Sequence, residues 1–140
     1  MKNRRRAREI VLQALYKFDI SNDELLDCLN DVLKFNNFNE EVLEFAKRII
    51  NVIIPKIENI DETIKKYSKN WKFERMAIID RNILRIAIAE MLFMPDIPEK
   101  VSINEAVEIS KKFSTDESYA FINGILHRLF VDLEDKNEKS

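Results

Sequence analysis

A single glycine and three prolines among 140 residues constrain this chain more than any other feature. Sheets need tight turns, and tight turns want glycine or proline. A chain this poor in both is expected to fold as helices joined by short polar loops. The apolar share of 46% can build a hydrophobic interior and is too high for a disordered chain. The length leaves room for one compact domain, or for two small bundles sharing a core.

The apolar spacing agrees. Ala7, Ile10, Val11, Ala14, Leu15 and Phe18 share one helical face. Ser21 with Glu24 reads as a capping box opening a second helix through Leu33. The run Asn36-Asn37-Phe38-Asn39 breaks it, and a third helix starts near Glu40. Pro55 should kink or end that helix, whose pattern resumes up to about Tyr67. A fourth segment, from about Glu74 to Met94, is apolar nearly all round and should be central. Pro95 and Pro98 bracket a short connection. Ser102 with Glu105, and Ser114 with Glu117, suggest capping boxes for the last two helices. The polar tail, 134–140, is expected to fray. The expected class is all-α, with six to eight helices in two packed bundles, 1–67 and 74–133, divided around 68–73.

Several function classes are excluded or disfavoured. The net charge is −2, so nucleic-acid affinity must come from a local patch. The lone cysteine, Cys28, rules out an internal disulfide and a cysteine-based zinc site, and fits a reducing cytoplasm. No run has the roughly 18–20 apolar residues of a membrane span, and no signal peptide is recognisable. His127 is the only histidine, and a lone helical histidine is usually a surface or boundary residue. Gly124 cannot build a phosphate-binding loop alone; inside a helix it suggests close packing of two helices. No catalytic constellation, metal site or cofactor is expected. Asp80 lies in the most apolar helix, beside Arg81 and one turn before Arg85. It reads either as an ion pair closing the bundle or as a polar spot on a partner surface.

One segment is not accounted for by folding. Arg4, Arg5, Arg6 and Arg8 precede the first acid, Glu9. Cations at a helix N-terminus oppose the helix dipole by a few tenths to about 1 kcal/mol. Arginine presents a planar fork of donors that matches phosphate and stacks on bases. On a flexible lead-in, such a cluster could follow a bent single strand, with Tyr16 or Phe121 as neighbouring aromatics. A solvated tail or a contact for anionic lipid is the plainer alternative.

The run Arg4-Arg5-Arg6-Ala7-Arg8-Glu9, then Leu12-Gln13-Ala14-Leu15-Tyr16, resembles the opening of the NusB transcription antitermination family. Asp80-Arg81-Asn82-Ile83-Leu84-Arg85-Ile86-Ala87 through Glu90 resembles its middle. Ile97-Pro98, Ile103-Asn104-Glu105-Ala106-Val107-Glu108, Lys111-Lys112-Phe113 and Phe121-Ile122-Asn123-Gly124-Ile125-Leu126 resemble its end. The order holds to about Leu129. The resemblance implies two packed helical bundles and binding to single-stranded boxA RNA of ribosomal RNA transcripts. It also implies a heterodimer with NusE, a small-subunit ribosomal protein, within an RNA polymerase complex that reads through termination signals. Carried over by position, the RNA surface would use Arg4, Arg5, Arg6, Arg8, Tyr16, Phe113, Glu117 and Phe121. Asp80 and Arg81 would belong to the NusE interface. Ala120 stands where family members often carry lysine, which would remove one phosphate contact, and Glu117 stands where aspartate is common.

Two other readings stay open at this stage. NusB-like domains also occur fused to RNA cytosine methyltransferases, although no glycine-rich cofactor loop or second cysteine is present here. The chain could also be a protein-interaction adaptor, or a homodimer whose contact covers the basic surface.

Overall fold

The helix formed by Ile78–Phe93 organises the molecule: from Asn82 to Met91 every residue is buried. In the computed structural model, residues 2–69 and 72–139 are described, the side chains of 137–139 excepted. Among them are six α-helices: α1 (Lys2–Ser21), α2 (Leu25–Leu33), α3 (Glu40–Tyr67), α4 (Ile78–Phe93), α5 (Glu99–Phe113) and α6 (Asp116–Lys139). A short 3-10 turn, Phe73–Arg75, precedes α4. Asn70 and Trp71, inside the expected dividing segment, lie outside the described residues.

Helix α4 packs against α1, α3, α5 and α6, which explains its lack of a polar face. Helix α1 packs on α2, α3 and α4. The apolar stripe of α3, including Ile49, Ile50, Ile53, Ile60 and Ile64, is fully buried. Cutting any one of them to alanine would cost about 2–5 kcal/mol.

Four polar side chains of α4 are buried, and each ties it to other elements. Asp80 accepts hydrogen bonds from Ser114 Oγ at 2.7 Å and Ser118 Oγ at 2.8 Å. Asn82 donates to Asp19 of α1 at 2.8 Å and to the Ile78 carbonyl at 3.0 Å. Arg85 grips both oxygens of Asp61 on α3, at 2.8 and 2.9 Å, and reaches Asp19 at 3.0 Å. Glu90 accepts from Arg8 of α1 and from Ser102 of α5. The anticipated pairing of Asp80 with Arg81 or Arg85 is therefore replaced: the serines hold Asp80, and Asp19 takes both arginines.

The helix ends correct several local expectations. Asn39 caps α3, accepting from the Val42 N–H at 2.9 Å. Glu24, not Ser21, is the N-cap of α2, and it makes no side-chain cap bond. Ser102 lies inside α5, which opens after Pro98, so its hydroxyl turns inward to Glu90. At α6 the cap is Thr115, which accepts from the Ser118 N–H at 3.2 Å, one residue beyond the expected Ser114. Pro55 does not end α3, which runs through it. Pro55 and Asn51 are both exposed, so the carbonyl that proline leaves unpaired faces water. The tail continues α6 as far as Lys139.

Gly124 is not a close-packing glycine. A Cβ placed there would meet only Arg128 Nη1, on its own helix, at an ordinary 3.6 Å.

Candidate nucleic-acid interface

Helix α1 begins at Lys2, so all four arginines are on the helix and none is on a flexible lead-in. Successive residues turn by about 100°, and the arginines consequently splay in different directions. Each is held by groups from distant parts of the chain, which offsets the unfavourable helix dipole.

Arg4 stands over the Phe45 ring, 4.6 Å from its centroid. It borders a surface cleft of about 280 Å³ with Asn3, Glu41, Glu44 and Arg48. Arg5 reaches Glu105 of α5 at 2.5 Å, yet its side chain stays 47% exposed. Glu105 raises the Arg5 pKa above its ordinary value, so the charge is permanent. Arg6 donates to Asn36 Oδ1 at 2.7 Å and to the Asn37 carbonyl at 3.4 Å. It keeps 36% of its side chain exposed.

Arg8 behaves differently and corrects the expectation that it faces RNA. Its side chain is 2% exposed. Its guanidinium holds both oxygens of Glu90 at 2.7 and 2.8 Å and reaches Glu105 at 3.1 Å. The Phe45 ring covers it at 5.2 Å. Arg8 thus locks α1 to α4 and α5, and with Arg5 it supplies the countercharge for the two buried acids. The four-residue spacing that puts Arg8 under Arg4 also directs it inward, on the same stripe as Val11 and Leu15.

Around this helix end lie further surface groups. Lys112, at the end of α5, donates to Glu9 at 2.9 Å and is itself 61% exposed. Its ammonium lies 5.2 Å from the Phe113 ring. Phe113 is 39% exposed, and Tyr16, two turns along α1 from Glu9, is 43% exposed. Glu117 and Ala120 are exposed, while Phe121 is half-buried against the core. The α5–α6 corner carrying Phe113 and Glu117 is pinned by the two serine bonds to Asp80. Asp80 is itself buried, and Arg81, bound to Asp19 at 2.9 Å, is only 14% exposed. The two residues assigned to a partner interface therefore lie mostly beneath the surface.

Sequence reasoning did not single out Lys112, Glu105, Gln13 or Asn36 as parts of this arrangement. The contacts that join them, between α1 and the rest of the chain, cross 23 to 103 positions, and no local pattern marks them. His127 is exposed on α6, beside Lys66, Lys69 and Arg128. Among the described residues no group of three or more acids, histidines or cysteines could hold a metal. None of the described helices is long and apolar enough to cross a membrane.

A helical body whose first helix carries exposed arginines, with a lysine and half-open aromatic rings nearby, fits a class: a helical binding protein for an anionic, ring-bearing ligand. Comparison narrows the class. The chain belongs to the NusB family, whose model matches residues 5–130. A transcription antitermination protein NusB from Dehalococcoides mccartyi is 43% identical over 133 residues, 95% of this chain and 93% of that protein. One from Chloroherpeton thalassium is 42% identical over 135 residues; that match takes 96% of this chain but spans only 64% of the longer relative. Among solved structures, the antitermination factors NusB and NusE in complex with dsRNA provide a similar chain: TM-score 0.86, 26% identity, with 94% of this chain and 98% of that one covered.

Proposed function

We propose that this protein is an RNA-binding transcription antitermination factor. It binds single-stranded boxA RNA of ribosomal RNA transcripts together with NusE, and the pair promotes read-through by RNA polymerase. The observation that carries this reading is the family match over residues 5–130, which takes in the arginine helix from Arg5 onward and the α5–α6 corner. It binds and does not catalyse, and it works in the cytoplasm, where those transcripts are made.

In this reading Arg4, Arg5 and Arg6 meet phosphates, and Tyr16 and Phe113 offer faces to unpaired bases. Glu117 and Phe121 border the same strand from α6. Arg8 shapes the surface from below without touching RNA. Asp80 and Arg81 serve the NusE side by fixing the α4 N-terminus and the α5–α6 corner. The folding of residues 1–133 as a single NusB-like domain belongs to the same proposal.

The test is a gel-shift titration of single-stranded boxA RNA, with the chain alone and with NusE, against the same sequence in duplex form. Tighter binding of the single strand, strengthened by NusE and weakened by replacing Arg4, Arg5 and Arg6 with alanine, is expected. Binding that ignores the triple replacement would refute the assignment.

A further inference from the structure

Phe35 is 87% exposed, more than any other large apolar side chain among the described residues. Such exposure on a loose loop would be ordinary. This loop is held in place. Asn36 Oδ1 accepts from Arg6 at 2.7 Å and from Gln13 at 3.5 Å. Asn36 Nδ2 donates to Gln13 Oε1 at 3.2 Å and to the Val32 carbonyl at 2.8 Å. The Phe35 N–H also donates to the Val32 carbonyl, at 3.1 Å. The ring therefore stands in water on a segment clamped to the basic face of α1.

Its surroundings point to the ligand. In sequence Phe35 is flanked by Lys34, whose side chain is 71% exposed, and by Asn36 and Asn37. A protein-docking patch gathers contiguous apolar surface. Here two exposed rings, Phe35 and Phe38, share a turn with Lys34 and with Asn36, which is bonded to Arg6; rings spaced among cations are the pattern that stacks on unpaired bases while the charges follow the backbone.

We propose that Phe35 is a base-stacking platform. It carries the RNA surface from the arginine helix onto the turn between α2 and α3, and takes one unpaired nucleotide of the strand whose phosphates meet Arg6 and Lys34. This inference rests on the RNA reading above and adds a contact outside the three sequence blocks that resemble the family.

The experiment uses fluorescence anisotropy with boxA RNA extended at both ends, each nucleotide in turn made abasic. With the unaltered chain, an abasic site at one nucleotide beside the arginine-contacted stretch should weaken binding about tenfold. Phe35→Ala should weaken binding of the intact RNA about as much, and should abolish the further effect of that abasic site. Phe35→Trp should restore affinity, and Phe35→Leu, apolar but without a ring, should not. Unchanged melting of Phe35→Ala would show that the fold is intact, as its exposure requires. Unaltered RNA binding by Phe35→Ala, with the arginine replacements still harmful, would overturn the platform alone. Lost NusE association without any change in RNA affinity would give the ring to a protein partner, and would overturn it too. A chain that binds no boxA RNA at all would remove the functional reading and the platform together.

Discussion

Arg8 and Glu90 form a two-pronged ion pair, 2.7 and 2.8 Å long, with side chains 2% and 1% exposed. Glu105 and Ser102 complete the cluster at 3.1 and 2.8 Å. Taking away the cation would leave Glu90 buried without a charge partner and Glu105 with Arg5 alone. Arg8→Ala should therefore lose about 3–5 kcal/mol of stability, whereas Arg6→Ala, at the surface, should lose about 1 kcal/mol or less. Urea unfolding midpoints of the two variants check this; equal losses would contradict the structural role given to Arg8.

Burial of Arg8 also changes the expected salt dependence. Four arginines on phosphates would give a slope of log K against log salt near −3, at about −0.7 per phosphate on a single strand. Without Arg8, the three surface arginines account for about −2 of that slope, and each lysine that meets a phosphate adds about −0.7. Titrations at several salt concentrations measure it. Lys112→Ala should flatten the slope further if that exposed ammonium reaches the strand.

The burial of Arg8 marks where sequence legibility stopped. The helical class, the central helix and the start of α3 near Glu40 follow from periodicity and local chemistry, which are properties of neighbouring residues. Arg8 could not be sorted from Arg5 or Arg6 by composition. Its fate depends on Glu90 and Glu105, brought to it by tertiary packing. The serine-glutamate pairs misled for a related reason. Ser102 and Glu105 have capping spacing, but α5 already began at Glu99, and both side chains were recruited by the Arg8 cluster.

Gly124 offers a cleaner test. Its added Cβ would meet nothing closer than 3.6 Å. Gly124→Ala should therefore gain about 0.5–1 kcal/mol, the ordinary helix-propensity difference. A higher unfolding midpoint is the expected readout. A loss would show that the surroundings of the position are tighter than this geometry, and would overturn the prediction.

Asp19 should govern part of the acid sensitivity. Burial works to raise its carboxyl pKa, but hydrogen bonds from Asn82, Arg81 and Arg85 outweigh it and hold the group below the ordinary range. A lowered folded-state pKa contributes stability above the unfolded value and loses it as pH falls through the folded one. Stability should therefore drop below about pH 4. Asp19→Asn should be less stable at neutral pH and show a shallower acid decline. Denaturation midpoints across the pH series check both.

Asp80 gives a prediction that joins fold and surface. Asp80→Ala deprives Ser114 and Ser118 of their shared acceptor. It should cost about 1–3 kcal/mol and speed amide exchange at the α5–α6 corner. Slow exchange there would mean that the corner is held by packing alone.

The pairing of Arg8 with acids 82 and 97 positions further on has a consequence for how the protein is made. A ribosome delivers the basic helix first and its acidic anchors much later. Until Glu105 has emerged, Arg5 lacks its surface brace and Arg8 remains outside the cluster that hides it. A half-made chain consequently has an arginine helix in which Arg8 is not yet buried and Arg5 not yet braced. Arg8 is thus withdrawn from water only when α4 and α5 are both in place.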